Sequence, residues 1–203
     1  HRVIGVVSKK WNYGTNKKWG TTISTFFEYS RGGRFSYTYA GNINGDTSGQ
    51  NNDLLYVPTS AEIQQMQFDP TGNPGQAAAF DNYIAQDDYL SGRRGQYAER
   101  YGAQAPWRGR WDVKFLQDYK IKISENKTNT IQFSVDVLNF GNLIRSEWGL
   151  VQQPNNTSPI GVNVDPATLV PTYSFNPNQT ETFGYDSSLA SRWQMQFGLR
   201  YIF

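Results

Sequence analysis

The chain has 203 residues, and its 19 basic and 17 acidic side chains nearly balance, which does not indicate a nucleic-acid-binding surface. It contains no Cys and one His, at position 1, which excludes disulfides and Cys nucleophiles and argues against a Ser-His-Asp triad or a His-based zinc site. We therefore expect no enzyme. No run of about 18 apolar residues is present, so no membrane-spanning helix is expected either.

The mean hydropathy is −0.65, yet the chain carries 6 Trp, 13 Tyr and 12 Phe. A polar average with many aromatic side chains is typical of strands that have one face in lipid and the other in water. The chain begins with His1 rather than Met. We therefore expect a processed or truncated piece of a longer protein.

Alternation of apolar and polar residues with a period of two predicts six β-strands. The predicted strands span residues 2–13, 19–29, 34–40, 111–123, 130–140 and 192–203. The first strand is the least regular, because Ile4 and Val6 break its phase, and Phe26 is an exception in the second. The third is predicted from Phe35, Tyr37 and Tyr39, which alternate with polar residues.

The connections between these strands differ greatly in length. Long loops are predicted at about 43–109 and 141–190, whereas the fourth and fifth strands are joined by a short turn. Outer-membrane barrels have short periplasmic turns and long extracellular loops, so the long connections are predicted to be extracellular. The connection at 14–17 is then predicted to be a short hairpin on the outer side.

Strand length also favours a membrane barrel. Strands of about 10 to 13 residues tilted near 45° would cross an apolar band roughly 25 Å tall, whereas strands of soluble sandwiches commonly have five or six residues. Trp11, Trp19, Trp111 and Trp193 lie near predicted strand ends, as an interfacial belt requires. Six strands cannot close a barrel, so either several chains combine or these are the last strands of a larger one. A soluble β-sheet is the alternative.

The first long loop carries helix signals. Thr59 and Glu62 form a capping box that predicts a short helix near 60–67, and Pro74 is placed at the first position of a second helix that reaches about Gln86. The second helix has an apolar stripe that is predicted to pack, formed by Ala77, Phe80, Tyr83 and Ile84.

A short polar run suggests a calcium site, the one cofactor that the sequence indicates. Asn42, Asn44, Asp46 and Asp53 fall at positions 1, 3, 5 and 12 of a calcium-loop template. Position 6, normally Gly, is Thr47, and the last ligand is Asp instead of Glu. An Asn- and Gly-rich turn without metal is the alternative.

A second candidate site combines cations with aromatic rings. Its candidate ligand-binding residues are Arg93, Arg94, Tyr97, Arg100 and Trp107. Such residues suit an anionic or glycan-like solute. The alternative is a loop held by pairing of Arg with Glu99 and by burial of Trp. The adjacent Asp87 and Asp88 are expected to be a solvated helix end, and no carboxylate pair is placed for glycoside chemistry.

Four stretches of the sequence resemble one family. They are GNINGDTSGQNNDLLYVP, RRGQYAERYGAQAPW, FSVDVLNFGNLI and FGLRYIF. The chain resembles the C-terminal portion of a TonB-dependent outer-membrane receptor, and more narrowly the Oar-like receptors of Bacteroidota, which carry a carboxypeptidase-regulatory-like domain ahead of the plug. Two residues depart from that pattern: Tyr101 stands where Asn is expected, and Asn42 where Asp is commoner.

The resemblance implies an all-β fold in which this chain supplies the last six strands of an antiparallel transmembrane β-barrel of about 22 strands with a plugged lumen. Its extracellular loops would carry the short helices. The last strand would pair with the first strand of the barrel and act as an assembly signal read by the barrel-assembly machinery. The signal residues, which would face lipid, are Trp193, Phe197, Leu199, Tyr201 and Phe203. Gln194, Gln196 and Arg200 would face the lumen.

The resemblance also implies a location and partners. The protein would lie in the outer membrane of a Gram-negative bacterium and contact its lipid, the upstream remainder of the barrel and, through a plug that is absent from this chain, the TonB energising complex. Its function would be energised import of a solute or macromolecular ligand. A passive porin-like channel, a surface adhesin or a soluble glycan-binding β module are the alternatives.

Overall fold

The computed structural model describes residues 1–46 and 51–203, and most of its regular structure is β-strand. The strands are β1 (Arg2–Tyr13), β2 (Trp19–Arg31), β3 (Arg34–Phe35), β4 (Tyr39–Ala40), β5 (Tyr56–Val57), β6 (Gln96–Tyr97), β7 (Ala103–Gln104), β8 (Trp107–Ser124), β9 (Lys127–Leu138), β10 (Gln152–Pro154), β11 (Ile160–Val164), β12 (Pro171–Phe175), β13 (Phe183–Tyr185) and β14 (Gln194–Ile202). The helices are α1 (Ser60–Ile63), α2 (Gln76–Gln86), α3 (Asp88–Ser91) and α4 (Phe140–Ile144), with 3-10 turns at Thr15–Lys17 and Leu189–Ser191. Within the described residues, none of the helices is both long and apolar enough to cross a bilayer.

The chain divides into two units. The sheet unit consists of His1–Arg31, Pro106–Gln152 and Tyr185–Phe203, and the inserted unit consists of Gly32–Ala105 and Gln153–Gly184. Each unit is therefore built from segments that are distant in sequence.

The sheet unit is built on one antiparallel sheet of five strands. Its strand order is β1-β2-β8-β9-β14, and every neighbouring pair is antiparallel. Over the described part of the chain, the outer edges of β1 and β14 pair with no further strand, so the sheet is open. Five of the six predicted strands correspond to the members of this sheet.

The prediction of one strand at 34–40 is wrong. This segment forms the short strands β3 and β4, which pair with β7 and β11 in the inserted unit and not with the five-stranded sheet. Tyr37 and Tyr39, whose alternation suggested a lipid-facing strand, are instead buried in the core of the inserted unit. Alternation with a period of two shows only that one face of a strand meets an apolar environment. That environment can be a protein core as well as lipid.

Because residues 34–40 do not join the five-stranded sheet, the 14–17 hairpin lies at a different end of that sheet from the one predicted. β1 and β2 are joined by residues 14–18, and β8 and β9 by residues 125–126, at the same end of the sheet. The long connections, 32–106 and 139–193, leave from the opposite end. The hairpin at 14–17 therefore lies at the same end of the sheet as the short turn at 125–126. The prediction that it lies on the outer side, with the long loops, is wrong.

The inserted unit has its own hydrophobic core. Three small sheets and helices α1 to α3 surround it, and its fully buried side chains include Leu55, Val57, Ile63, Phe80, Ile84, Leu90 and Ile160. The predicted stripe of α2 packs here, because Phe80 and Tyr83 both contact the ring of Phe175 at centroid distances of 5.3 and 5.5 Å. The predicted loop helices are thus part of a folded core.

The helix starts agree with the sequence in one case and differ in the other. Thr59 caps α1 in the predicted capping box, with the Thr59 backbone N–H donating to Glu62 Oε2 at 2.7 Å. Helix α2, however, begins at Gln76 after a left-handed Gly75, so Pro74 precedes the helix and is not its first residue. The φ of Gly75 is 80°, which is not a helical value and which Gly adopts readily. The helix therefore cannot extend back through Gly75 to Pro74.

Candidate functional site

One face of the five-stranded sheet, here called the apolar face, exposes large hydrophobic side chains. Register places on it Val7, Ile23, Phe27, Val113, Phe115, Ile131, Phe133, Val135, Met195, Phe197 and Leu199. Phe27 is 42% exposed and Phe197 is 64% exposed. Soluble proteins bury such residues, so this exposed area demands a partner surface. Lys9, on the edge strand β1, is a charged exception on this face.

Aromatic rings border the apolar face at both ends. Near the short turns, Tyr13, Trp19, Tyr119 and Tyr201 lie in one row across the sheet. Near the long connections, Tyr29 stacks on Trp107 with ring centroids 4.8 Å apart, next to Trp111. Trp19 and Tyr29 are separated by about 33 Å along β2 at 3.3 Å per residue, or about 23 Å across a membrane at a tilt near 45°.

The opposite face, here called the polar face, is crossed by ion pairs. Lys10 Nζ lies 2.9 Å from Asp118 Oδ2, and Gln132 Nε2 donates to Asp118 Oδ1 at 2.8 Å. Lys114 Nζ lies 2.9 Å from Asp136 Oδ1. Asp118 is only 5% exposed, so a carboxylate is less exposed than the Phe side chains across the sheet. In a sheet of a soluble protein the apolar side chains are usually the buried ones, so the burial pattern of this sheet is the reverse.

The predicted assembly-signal residues lie on or beside β14. Phe197, Leu199 and Tyr201 are on the apolar face, and Trp193 and Phe203 flank the strand. Tyr201 stacks with Phe203 at 5.9 Å. Gln194, Gln196 and Arg200 lie on the polar face, as the alternation predicts.

The predicted cation and aromatic site is not assembled as one cluster. Arg94 is engaged inside the inserted unit, where Nη2 lies 2.7 Å from Asp81 Oδ1 and Nη1 donates to the Pro58 carbonyl at 3.2 Å. Arg93 pairs with Glu99 and lies over the ring of Tyr89 at 5.5 Å. Both guanidinium groups therefore hold the loop, which was the alternative interpretation.

The remaining members of that site have different surroundings. Tyr97 is 65% exposed and contacts the ring of Tyr56, and Arg100 is also exposed, both in the inserted unit. Trp107 belongs to the sheet unit, in the stack with Tyr29. Arg100 and Tyr101 are the central residues of a turn closed by Gly102 N–H donating to the Glu99 carbonyl at 3.0 Å. Tyr101 has a φ of 54°, a conformation that Asn adopts more readily, which accounts for the Asn expected there.

Three side-chain oxygen atoms of the candidate calcium loop accept hydrogen bonds from backbone N–H groups of the same loop. Asn42 Oδ1 accepts from Gly45 N–H at 2.8 Å, and Asn44 Oδ1 accepts from Asp46 N–H at 2.9 Å. Asp53 Oδ2 accepts from Ile43 N–H at 2.9 Å. Thr47, at template position 6, lies outside the described residues. Within 1–46 and 51–203, no three His, Cys, Asp or Glu side chains gather where they could hold a metal, and calcium binding stays a prediction.

Asp87 is buried, so the prediction that it belongs to a solvated helix end is wrong. It is 4% exposed, and its carboxylate accepts from Tyr37 Oη at 2.7 Å and from Thr182 Oγ1 at 2.6 Å. Its Oδ1 also accepts from the backbone N–H groups of Tyr89 and Leu90, which caps α3. Burial, reinforced by the Asp87 charge, raises the pKa of Tyr37 far above its ordinary value. An Asp just before a short apolar helix is an N-cap signal that could have identified this role.

The sheet unit has a cleft of about 560 Å³ near the long connections. One wall is the aromatic end of the sheet and includes Tyr29, Trp107 and Trp111. The other is the segment after β9, with Trp148 and the main chain around Gly149. Sequence reasoning assigned Trp107 to another site and did not predict the cleft.

Two Asn side chains of the FSVDVLNFGNLI stretch shape the second wall. Asn139 has a φ of 54°, and its Nδ2 donates to the Gly149 carbonyl at 3.0 Å. Asn142 Nδ2 donates to the carbonyls of Ser146 and Trp148 at 2.8 and 3.0 Å. The Oδ1 atom of Asn139 is buried and accepts no hydrogen bond. This motif therefore turns the chain and covers the Asn139 amide oxygen against Gly149.

No family model, curated protein or solved structure matches the chain. The class that the structure establishes is a mostly β chain with an open five-stranded antiparallel sheet. The distribution of apolar and charged side chains over that sheet is the feature from which a function can be argued.

Proposed function

We propose that the sheet unit is part of the wall of an outer-membrane β-barrel, and that the chain belongs to a TonB-dependent receptor of the Oar-like group that imports a solute or macromolecular ligand. The observation that carries the proposal is the exposed apolar face between two aromatic rows. Spacing of about 23 Å between the rows suits the apolar band of such barrels, about 25 Å tall.

The two open edges support a larger barrel. Backbone groups on an unpaired strand edge cost several kcal/mol each in hydrocarbon, so β1 and β14 need neighbouring strands. In the proposed barrel of about 22 strands, upstream strands cover both edges. The polar face, with its Lys10–Asp118 and Lys114–Asp136 pairs, then lines a lumen that holds a plug.

The lengths of the connections favour one orientation. Short turns at 14–18 and 125–126 suit the periplasmic side, and the long connections suit the outside of the cell. The inserted unit, which these connections contain, is the proposed extracellular ligand-recognition region. Transport energy would reach the plug through the TonB complex, a step proposed from the sequence resemblance alone.

The strand β14 is the proposed assembly signal. Phe203 stacks on Tyr201, a member of the aromatic row near the short turns, whereas Ile202 has the opposite phase. Phe203→Ala should reduce the amount of assembled barrel in the outer membrane, measured by heat-modifiable migration in gels. Ile202→Ala is the matched control and should assemble normally. Equal assembly of Phe203→Ala and the parent protein would contradict the signal.

Fractionation tests the membrane location. The protein should sediment with outer membranes, resist extraction by alkaline carbonate and require detergent for solubility. Recovery in aqueous buffer without detergent would contradict the proposal and favour a soluble glycan-binding module.

A passive channel is the second candidate, because the charged polar face would also suit a water-filled lumen. Ligand uptake in cells distinguishes the two. Energised import should stop when the inner-membrane proton gradient is collapsed or the TonB complex is deleted. Uptake that continues unchanged under both conditions would identify a passive channel.

A further inference from the structure

The short-turn end of the sheet unit, where residues 14–18 and 125–126 join the strands, is rich in lysine. We infer that four of its lysines bind the headgroups of anionic phospholipids in the adjacent leaflet of the membrane. These four residues, here called the lysine cluster, are Lys9, Lys17, Lys18 and Lys127. The inference rests on the proposed function, since it requires the apolar face to meet lipid.

The charges of the chain are distributed unevenly along the sheet. Every Lys except Lys114 lies at the short-turn end. Among residues 9–22, 116–130 and 198–203, all of which the structure describes, Asp118 and Glu125 are the only acidic residues. This end of the sheet unit is therefore strongly positive, although the charges of the whole chain nearly balance.

The lysine cluster is not neutralised by the chain itself. Lys10, the neighbour of Lys9, takes the Asp118 carboxylate at 2.9 Å. Over the described residues, 1–46 and 51–203, no carboxylate forms an ion pair with a member of the cluster. The first acidic residue of the chain is Glu28, so the hairpin of β1 and β2 has no carboxylate near its turn. Grouped lysines beside a membrane attract anionic headgroups.

Register places the cluster on the lipid side of the proposed wall. Lys9 pairs with Ile23 on the apolar face, and Lys127 is four residues before Ile131 and has the same phase. Lys17 and Lys18 lie in the turn, directly before Trp19 of the aromatic row. From β1 to β9 is three strand spacings, about 14 Å, a width that a few adjacent headgroups cover.

The depth of Lys9 distinguishes a lipid from a water-soluble acidic partner. Lys9 is four residues from Tyr13 along β1, about 9 Å to the hydrocarbon side of the aromatic row at a tilt near 45°. At that depth the alkyl stem lies along the apolar face and the ammonium reaches the headgroups. A soluble protein segment does not enter this layer, whereas a phospholipid supplies both the acyl chains and the phosphate.

The conformation of the β1–β2 turn does not account for its lysine. Asn16 and Lys17 have φ values of 57° and 52°, in the left-handed region that Gly and Asn adopt more readily than Lys. A Gly at position 17 would make the same turn with less strain. The ammonium group, and not the turn geometry, is therefore the feature that distinguishes Lys17 at this position.

The test compares two phospholipids that share dioleoyl chains and differ in headgroup charge. The intact protein, purified in a nonionic detergent, is titrated with phosphatidylglycerol and with phosphatidylcholine, and bound lipids are counted by native mass spectrometry. We expect phosphatidylglycerol to bind at least about tenfold more tightly at low salt, with a smaller difference at high salt. Millimolar inorganic phosphate should not displace it, because free phosphate lacks the acyl chains.

Matched Lys variants locate the site. Lys9→Gln and Lys17→Gln should each weaken phosphatidylglycerol binding about fivefold, and Lys9→Arg, which keeps the charge, should retain most of it. Lys122→Gln is the control at the same end of the sheet, because Lys122 is exposed like Lys9 but has the phase of the polar face. It should leave phosphatidylglycerol binding unchanged.

Four results would overturn the inference: equal binding of the two lipids, displacement of phosphatidylglycerol by inorganic phosphate, unchanged binding in the combined Lys9→Gln and Lys17→Gln variant, or an equal loss in Lys122→Gln. The last result would assign the effect to the general charge of this end. Failure of the proposed function is distinguishable from all four. If the apolar face did not meet lipid, the protein would stay in aqueous buffer without detergent and would bind neither phospholipid.

Discussion

Removal of the Asp87 carboxylate should strongly destabilise the inserted unit. In Asp87→Ala, α3 loses its N-cap, at about 1 kcal/mol. The hydroxyls of Tyr37 and Thr182, which are 0% and 2% exposed, lose their charged acceptor, at about 3 kcal/mol for the pair. The free energy of opening should therefore fall by about 4 kcal/mol, which corresponds to a roughly thousandfold faster exchange of protected amides.

Amide hydrogen exchange measured by mass spectrometry is the appropriate assay, since it reports on peptides from residues 76–98 within the intact protein. Asp87→Asn keeps the shape and one acceptor but adds N–H donors that face other donors, and it should lose about 2 kcal/mol. Asp88→Ala is the matched control, because Asp88 is exposed, and it should stay within about 0.5 kcal/mol of the parent. Equal exchange in Asp87→Ala and Asp88→Ala would refute the buried network.

Three further predictions concern other regions. Gly149 has a φ of 65°, and a Cβ there would collide with Asn139 Oδ1, so Gly149→Ala should speed amide exchange in residues 140–150 about five- to thirtyfold, for a strain of about 1–2 kcal/mol. Burial raises the pKa of Tyr39, so above about pH 10 the unfolded state releases a proton that the folded state keeps. Each such Tyr then lowers the free energy of unfolding by up to about 1.4 kcal/mol per pH unit, and Tyr39→Phe should make the alkaline loss of stability in pH-dependent exchange less steep. The double variant Asp46→Ala and Asp53→Ala should abolish any calcium-dependent rise in melting temperature.

Each of these three has its own control. Gly33→Ala should be neutral, because a Cβ there meets no atom within 4 Å. For Tyr39→Phe the control is the same comparison near pH 7, where the Tyr39 hydroxyl keeps its proton in both the folded and the unfolded state and should add no pH dependence. An absence of any calcium-dependent shift in the parent protein would make the Asn42–Asp53 loop a plain turn.

The sequence predicted the elements whose causes are local. The capping box of α1 depends on Thr59 and Glu62 alone, and five strands of the sheet follow from alternation with a period of two. The packed stripe of α2 follows from a period of 3.6. In these cases the residues that determine the structure are neighbours in the chain.

The sequence did not predict features that depend on distant partners. Residues 34–40 alternate like a membrane strand, but their apolar side packs on segments far along the chain, which alternation cannot reveal. Asp87 is buried against Tyr37 and Thr182, which are 50 and 95 residues away from it in the sequence. The cleft likewise combines β2, β8 and the segment after β9, so no single stretch of sequence encodes it.

The most direct test of the central claim is the environment of alternate residues on β14. The chain has no Cys, so Phe197→Cys, Leu199→Cys, Gln196→Cys and Arg200→Cys each introduce one thiol for a nitroxide label. In bilayers, labels at positions 197 and 199 should collide mainly with lipid-soluble oxygen. Labels at positions 196 and 200 should collide mainly with a water-soluble nickel chelate. Labels at positions 197 and 199 that are shielded from both reagents, or are open to nickel, would contradict a lipid-facing wall.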